Sequence, residues 1–489
     1  MMMRQQLITI FLLGLSLLQL GGCAVNPVTG QSDFVLMSED EEISIGRKYH
    51  AQILKEYGRY DDPELQSYVQ RVGEALGTKS HRSNLLYRFT VLDSQEVNAF
   101  ALPGGYIYIT RGLMSYLNSE AELAAVLGHE IGHVTARHAV RQQSAAAATG
   151  ILASVIAATA GVDGAGDLLN TLGTAIVRGY GREHELESDR LGAEYLARTG
   201  YDPNAMLDVI RVLKDQESFE KQLAEEEDRE PRVYHGVFST HPDNDTRLQE
   251  VVGRAKRLKQ NGAGSIIRRG RFLKELDGMV FGDSEKEGVR RGNAFYHDEL
   301  GITLTFPQGW KIDNQPTQLI ATAPRGKASL NVRALDINRK YSPRDFLEKR
   351  LKLEDLQNGE TIHQGSMKGY TAISESRSPY GKRLVRYVVL FLRDKAWIFA
   401  GVSKDKKDPY KHDEQILDTA RSFREIKKSE RKLARAQRIK IITVSDDIQY
   451  KNLAKKSVIS NHAERQLRLL NKHYPKGEPR EGQKLKIIE

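Results

Sequence analysis

The feature that most constrains this chain is the H-E-x-x-H motif at residues 129–133, inside the strongly helical stretch Ser119–Arg141. Ser119 and Glu122 predict a capping box at the start of this helix. Apolar residues then recur at helical spacing and predict a buried stripe: Leu123, Leu127, Ile131 and Val134. Residues four apart lie on one face of a helix, one turn from each other. The two histidines of the motif can therefore bind the same small cation.

His129 and His133 have the type and spacing of zinc ligands in hydrolytic enzymes. Zinc accepts neutral imidazole nitrogens at about 2.0–2.1 Å, and its catalytic sites combine three protein ligands with one open position. Glu130, beside the first histidine, can take a proton from a water at that position. The motif therefore predicts a site for one Zn²⁺ per chain, with Glu130 as the catalytic base.

A second group of acidic residues follows in Arg182–Asp189, in a stretch whose pattern predicts a helix to about Ala197. Glu185 and Asp189 are four residues apart and fall on one face of that helix. We predict that Glu185 is the third zinc ligand, and that Asp189 orients a ligating histidine through its other ring nitrogen. On this segment alone, a solvated charged face is an equally good interpretation.

The combination of motifs resembles the zinc metallopeptidase family of the CAAX prenyl protease and HtpX. It comprises H-E-x-x-H, then E-x-x-x-D about fifty residues later, then a His-Pro pair at 241–242 with Arg247. Asn98–Gly105 is similar to the family's segment ahead of the active-site helix. One departure from the family pattern is Ser188, where alanine is usual. The resemblance covers about residues 26–258 and points to the soluble periplasmic branch. It implies a mainly helical, gluzincin-type zinc protease domain with a small edge sheet.

The resemblance also implies roles for residues that spacing alone leaves open. His241, beside a proline, would by itself be an ordinary loop residue. In the family pattern it is a regulatory histidine that can occupy the fourth zinc position. Four residues become candidates for binding substrate: Asn98, Phe100, Tyr106 and Arg247. His138 and His184 have no partner at a ligand spacing, and we interpret them as surface or structural residues.

Two further segments are expected to lie near the site. Tyr106–Thr110 has the β-branched and aromatic composition of a strand. We expect an edge strand that holds an extended substrate by main-chain pairing, with a plain core strand as the alternative. Ala145–Gly161 is a run of small and apolar residues at the lower margin of a membrane span. We expect a helix packed on the protein or over the cleft, with membrane contact as the alternative.

The first 22 residues have the pattern of a signal peptide, with an apolar run from Leu7 to Leu18 that is too short to span a bilayer comfortably. Cys23, the only cysteine of the sequence, resembles the lipidated residue of a bacterial lipoprotein. Ala24 after it favours delivery to the outer membrane. Several acyl chains give stable anchoring. We therefore expect the chain at the periplasmic face of a Gram-negative outer membrane, with a chance cysteine as the alternative.

Length and composition indicate a globular protein of about three domains, because the chain has 489 residues with 40% hydrophobic and 28% charged side chains. The net charge of +9 suits contact with anionic envelope surfaces better than sequence-specific nucleic-acid recognition. We expect an α+β multidomain chain with these parts: signal peptide 1–22, zinc metallopeptidase 23–261, linker 262–294, antiparallel α+β domain of unknown role 295–426, basic linker 427–438 and C-terminal module 439–489.

The C-terminal module has a predicted order of strand, helix, helix and strand. Leu467, Leu470 and Asn471 resemble the second half of a LysM module, a fold that binds N-acetylglucosamine polymers in many proteins. The stretch 445–447 reads Ser-Asp-Asp where Gly-Asp-Thr is common, so the first half departs from the pattern. The resemblance implies contact with peptidoglycan, and a purely structural fold is the alternative.

These observations predict a lipid-anchored zinc endopeptidase of the bacterial periplasm. The family resemblance implies that its substrates are misfolded or stalled envelope proteins, and that its partners include the barrel-assembly machinery. Two other functions stay open. The chain could be a chaperone or assembly scaffold for outer-membrane proteins with a gated zinc site, or a protein that binds peptidoglycan.

Overall fold

The computed structural model describes residues 23–147, 180–227, 264–445 and 448–489, with seven further residues between 228 and 263. Three predictions fall wholly or mostly outside these residues: the signal peptide, the apolar run Ala145–Gly161, and His241. Within the described part of the chain, no helix is both long and apolar enough to cross a membrane.

The chain is an α+β protein, as its sequence predicted. The helices are α1 (Glu39–Tyr57), α2 (Pro63–Gly77), α3 (Arg111–Tyr116), α4 (Glu120–Thr135), α5 (Arg182–Arg198), α6 (Asn204–Glu226), α7 (Arg269–Leu276), α8 (Pro343–Asp345), α9 (Asp413–Ser422), α10 (Tyr450–Lys456) and α11 (Ala463–Leu470). The strands are β1 (Cys23–Val25), β2 (Ser32–Phe34), β3 (Arg88–Leu92), β4 (Ala99–Leu102), β5 (Tyr106–Thr110), β6 (Val280–Phe281), β7 (Val289–Arg291), β8 (Ala294–His297), β9 (Ile302–Thr305), β10 (Lys311–Gln315), β11 (Gln318–Thr322), β12 (Ala328–Asp336), β13 (Gln357–Gln364), β14 (Met367–Ser378), β15 (Gly381–Leu392), β16 (Lys395–Ser403), β17 (Arg424–Glu425), β18 (Gln437–Thr443) and β19 (Lys484–Ile488).

The chain divides into two compact units. The first unit contains Met1–Gln222, Arg232–Met279 and Arg438–Glu489, and the second contains Leu223–Pro231 and Val280–Gln437. The C-terminal segment therefore lies in the same unit as the H-E-x-x-H helix α4. Residues 262–294, which we predicted as a linker, contain α7, β6 and β7, and α7 buries its apolar side chains.

The small sheet of the first unit has the order β3-β5-β4. Strand β5 runs parallel to β3 and antiparallel to β4, and all five of its residues are buried. Our expectation that Tyr106–Thr110 is an edge strand is therefore wrong, because strands pair with it on both sides. Strand β4 lies at one edge of this sheet and packs against α4.

Helices α4 and α5 pack closely because glycines face the contact. A Cβ added to Gly132 would lie 3.0 Å from the Cα and the carbonyl oxygen of Ser188. Gly128 similarly faces Gly192, with the nearest atoms 3.4 Å from an added Cβ. The motif glycine therefore lets α5 bring its acidic side chains within reach of the two histidines.

Helix α4 ends earlier than the predicted Arg141. It stops at Thr135, Arg137 adopts a left-handed conformation with φ of 54°, and the chain is helical again at 138–147. The guanidinium of Arg137 donates to Glu42 on α1 at 3.1 Å and to the carbonyl oxygen of Met37 at 2.8 Å. These buried contacts hold a backbone conformation that non-glycine residues rarely adopt.

The C-terminal segment packs on the other end of α4. Strands β18 and β19 pair antiparallel, with α10 and α11 between them in sequence. The Lys486 amine on β19 is fully buried and lies 2.6 Å from the carbonyl oxygens of both Ser115 and Leu117, just ahead of α4. Lys472 reaches Glu122 in the first turn of α4 at 3.0 Å. The segment is thus built into the first unit.

The second unit is built on antiparallel sheets, as expected for its sequence. A seven-stranded sheet has the order β10-β11-β12-β16-β15-β14-β13, and a four-stranded sheet has the order β17-β9-β8-β7. A shared apolar core includes Phe295, Trp310, Leu330, Phe399 and Phe423. Among the described residues, one cluster of histidine, cysteine or acidic side chains could hold a metal, and it lies in the first unit.

Candidate metal centre

Three buried side chains converge between α4 and α5. The Nε2 atoms of His129 and His133 are 3.0 Å apart. The carboxylate of Glu185 places one oxygen 3.4 Å from the Nε2 of His129 and the other 3.4 Å from the Nε2 of His133. One turn of helix separates the two histidines, and the close approach of α5 supplies the carboxylate.

The geometry of this cluster fits zinc. Tetrahedral zinc with bonds of about 2.0–2.1 Å requires ligand atoms about 3.3 Å apart, close to the three observed separations. Burial lowers the pKa of His133 well below its usual range, which favours the neutral imidazole that binds a metal. Burial also opposes a charge on His129, but Asp189 and Glu185 raise its pKa to about 9. The carboxylates thus favour positive charge here, which a bound divalent cation would supply.

His129 is oriented directly by a carboxylate. Its Nδ1 lies 2.8 Å from Asp189, and Arg247 makes a two-pronged contact with the same carboxylate at 2.7 and 2.8 Å. Although burial favours the neutral acid, the Arg247 guanidinium holds the pKa of Asp189 at about 2. The Arg247 guanidinium also lies 3.4 Å from Glu185. This places Arg247, a candidate for binding substrate, against the residues that support the ligands.

His133 is surrounded by aromatic rings. Tyr180 stacks on it with ring centroids 4.0 Å apart, and the Nδ1 of His138 lies 2.9 Å from the Nδ1 of His133. His138 in turn contacts Glu187 through its Nε2 at 2.9 Å. His138 is fully buried, so it is structural rather than a surface residue, and its contact with a predicted ligand was not foreseen.

Glu130 lies on the same turn of α4 as the two histidines and is 2% exposed. Together with His129 it lines a small, largely apolar cavity, whose other walls include Ala99, Met206 and Arg247. A buried carboxylate beside a metal site can act as a general base on a water bound there.

The remaining predicted site residues lie around the small sheet. Asn98 pairs with Thr110 through its backbone and is buried. Phe100 and Tyr106 belong to an apolar cluster with Tyr108 that packs under α1. Ala99, which precedes Phe100 on β4, instead lines the cavity at Glu130. Ala99, rather than Phe100, is therefore the β4 residue beside Glu130.

Tyr180, His138 and Glu187 are site residues that the sequence did not reveal as such. His138 follows His133 by five residues, a separation that does not share a helix face, so only the break at Arg137 brings it back. Tyr180 comes from the loop that precedes α5 and has no motif of its own. Glu187 could have been suspected, because it lies two residues from Glu185 and Asp189.

Comparison with known proteins supports this assignment. Residues 63–255 match the family model of Peptidase family M48. The chain is 32% identical over 248 residues to the beta-barrel assembly-enhancing protease of Yersinia pestis, covering 49% of this chain and 49% of the relative. The corresponding protein of Escherichia coli (strain K12) is 31% identical over 242 residues, covering 48% and 47%. The mitochondrial metalloendopeptidase OMA1 of Arabidopsis thaliana is 34% identical over 154 residues, covering 31% of each chain. The chain thus spans about half the length of the curated bacterial relatives it matches.

Proposed function

Because residues 63–255 carry a peptidase family M48 domain, we propose that this chain is a zinc-dependent endopeptidase. His129, His133 and Glu185 hold one Zn²⁺, and Glu130 is the catalytic base. The observation that carries the proposal is the convergence of three ligand atoms within 4.8 Å of one another. Bound zinc supplies Lewis acidity toward a peptide carbonyl and lowers the pKa of a water.

Glu130 carries out the proton transfers. Its carboxylate accepts a proton from the attacking water and then donates that proton to the leaving amine. Asp189 and Arg247 keep the ring of His129 in place during these steps, because the Asp189 carboxylate is bound on one side by His129 and on the other by Arg247.

The substrates are unfolded or misassembled envelope proteins. An extended segment adds to the β4 edge through main-chain hydrogen bonds, a mode that tolerates many sequences. Ala99 on β4 lines the cavity that contains Glu130, which supports this path. The relatives named beta-barrel assembly-enhancing protease support a role in envelope quality control, with the barrel-assembly machinery as a partner.

The test is cleavage of casein by the full chain, with Glu130→Gln as the matched variant and zinc content measured for both. We expect cleavage by the wild type alone and about one zinc in each, because the amide keeps the shape of Glu130 but cannot accept the proton. Full activity of Glu130→Gln would refute the assignment. If neither protein cleaves while both carry zinc, His241→Ala tests whether His241 closes the site as a fourth ligand.

Cys23 anchors the chain by lipid to the periplasmic face of the outer membrane in this proposal. The signal-like run before Cys23 supports it, as do Val25, Phe34 and Leu36, which expose large apolar side chains in or just after the first hairpin. Labelled palmitate should be incorporated by the wild type and not by Cys23→Ser. Equal labelling of both proteins would exclude an anchor at this residue.

Two rival functions have separate tests. A chaperone or scaffold would let Glu130→Gln restore envelope integrity to a deletion strain. A peptidoglycan-binding protein would sediment with purified peptidoglycan through residues 439–489. The amide of Asn471 donates to Leu467 and to Lys486 within the segment itself, which supports a structural role for this LysM-like residue.

A further inference from the structure

The two proposed ligand histidines are supported differently at their Nδ1 atoms. His129 reaches a carboxylate directly, whereas His133 reaches one through another histidine. The Nδ1 atoms of His133 and His138 are 2.9 Å apart, and the Nε2 of His138 lies 2.9 Å from Glu187. The hydroxyl of Ser188 is also near the Nδ1 of His138, at 3.3 Å.

Only one arrangement of hydrogens satisfies these contacts in neutral rings. The Nε2 of His133 faces Glu185 and the Nε2 of His129, so it must carry a lone pair to act as a ligand. His133 then carries its hydrogen on Nδ1 and donates it to the Nδ1 of His138. His138 consequently carries its hydrogen on Nε2 and donates it to Glu187, whose ionised carboxylate has acceptors only.

The relay continues toward the N-terminal hairpin. Arg141 lies 3.1 Å from the same oxygen of Glu187, and its Nε lies 3.4 Å from Asp33 on β2. Asp33 also accepts from the side chain of Asn26 at 2.7 Å, which closes the hairpin of β1 and β2. These contacts connect the hairpin that begins at Cys23 with a proposed metal ligand.

The break in α4 is what makes the relay possible. On an uninterrupted helix, residues five apart point about 140° away from each other, so His138 would face away from His133. The left-handed conformation of Arg137 redirects the chain, and the ring of His138 comes to lie 5.0 Å from that of His133.

We propose that His138 and Glu187 are positioning residues that fix the ring orientation and tautomer of His133, and that Arg141 ties this relay to Asp33 in the N-terminal hairpin. The inference rests on the proposed zinc site and deepens it. Because partners of this kind typically change metal affinity 10–100-fold, the relay determines how tightly the site holds zinc. Because Arg141 connects Glu187 to Asp33, a change in the hairpin also alters the zinc affinity.

The test measures the Zn²⁺ dissociation constant of the full chain by competition with a chromophoric chelator. His138→Leu removes both ring nitrogens and should weaken zinc binding about 10–100-fold. His138→Gln keeps an acceptor for His133 and a donor for Glu187, so it should recover most of that loss. Glu187→Gln keeps an acceptor but loses the charge, and we expect about a tenfold weakening. The visible spectrum of the Co²⁺ form should change in His138→Leu and not in His138→Gln.

Matched controls separate the relay from general charge effects. Glu183 lies one helical turn before Glu187 and is exposed, so Glu183→Gln should leave the affinity unchanged. Asp33→Asn should weaken binding by no more than about fivefold, because the pair with Arg141 is partly solvated, and Asp40→Asn is its control.

Wild-type affinity in His138→Leu would overturn the proposal. If that variant does not fold, wild-type affinity in Glu187→Gln overturns it instead. A wild-type chain that fails to bind zinc would refute the proposed function rather than the relay.

Discussion

The two ends of helix α4 are held by opposite ends of the chain, and by different chemistry. The N-terminal end is held by the C-terminal segment, where Lys486 binds two carbonyl oxygens and Lys472 reaches Glu122. The C-terminal end is held by the N-terminal part of the chain, through Glu42 on α1. The hairpin residue Asp33 contacts Arg141, in the helical stretch that follows the break at Arg137. The two proposed histidine ligands lie on the turns of α4 between these two attachments.

The C-terminal end depends on buried charge. Glu42 is 1% exposed and accepts from Arg82 at 2.8 Å and from Arg137 at 3.1 Å. Arg82 also donates to the carbonyl oxygen of Val134, in the last turn of α4. The N-terminal end instead depends on Lys486, whose burial lowers its pKa well below the usual value. A neutral amine has two hydrogens, one for each of the two carbonyls. We therefore expect the free energy of unfolding to fall more when a charge is removed at the C-terminal end of α4, which is nearer the histidine relay.

Glu42→Ala is expected to have the largest effect. It leaves the guanidinium groups of Arg82 and Arg137 buried without their shared carboxylate, which costs about 3–5 kcal/mol of unfolding free energy. Urea denaturation of the zinc-free chain measures this loss. Glu39→Ala removes the other partner of Arg82, a carboxylate with half of its side chain exposed, and should cost no more than about 1 kcal/mol. Similar losses in both variants would show that burial of Glu42 does not matter.

Lys486→Met tests the other end. Methionine fills much of the same volume but leaves the carbonyl oxygens of Ser115 and Leu117 without this donor. An unsatisfied buried polar group costs about 1–3 kcal/mol, partly offset by the apolar side chain, so we expect about 2 kcal/mol. Lys484→Met, on the same strand and exposed, is the control and should change the unfolding free energy little. A loss larger than that of Glu42→Ala would reverse the comparison.

The pH dependence of stability tests whether the Lys486 amine is neutral. Its pKa is lowered in the folded chain, so between that value and about 10.4, the ordinary value, the unfolded chain binds one more proton. Stability then rises with pH, by up to about 1.4 kcal/mol per pH unit from this group. The difference in unfolding free energy between wild type and Lys486→Met should therefore grow in favour of the wild type from neutral pH toward pH 10. A difference that does not change with pH would mean that the buried amine is charged.

The sequence predicted the local geometry of the cluster well, because four-residue spacing on a helix fixes which side chains share a face. The spacing alone put the two histidines of H-E-x-x-H on one face of α4, and Glu185 and Asp189 on one face of α5. Preferring a site over a solvated charged face for the second pair needed the family resemblance. The order of strand, helix, helix and strand in the last fifty residues also followed from periodicity. These are regular elements whose patterns are readable within one window of sequence.

The rest could not be predicted for two physical reasons. The break at Arg137 carries no glycine or proline, and it exists because Glu42, almost a hundred residues earlier, binds the guanidinium. The attachment of Lys486 to Ser115 joins residues 371 positions apart. The central position of Tyr106–Thr110 likewise depends on β3, since composition alone does not distinguish an edge strand from a central one.

Gly132→Ala is expected to have the smallest effect of these changes. Together with Gly128→Ala it compares how closely α5 packs against the two halves of α4. An added Cβ would meet the backbone of Ser188 at 3.0 Å, and backbone cannot move aside cheaply, so we expect a loss of about 1–3 kcal/mol. The matched variant Gly128→Ala meets Gly192 at 3.4 Å, an ordinary contact. Alanine's higher helix propensity, about 1 kcal/mol over glycine, should then leave the second variant neutral or more stable. Thermal unfolding of both zinc-free variants measures the difference. Equal behaviour would show that α5 can shift, and that the tighter packing near His133 does not limit the site.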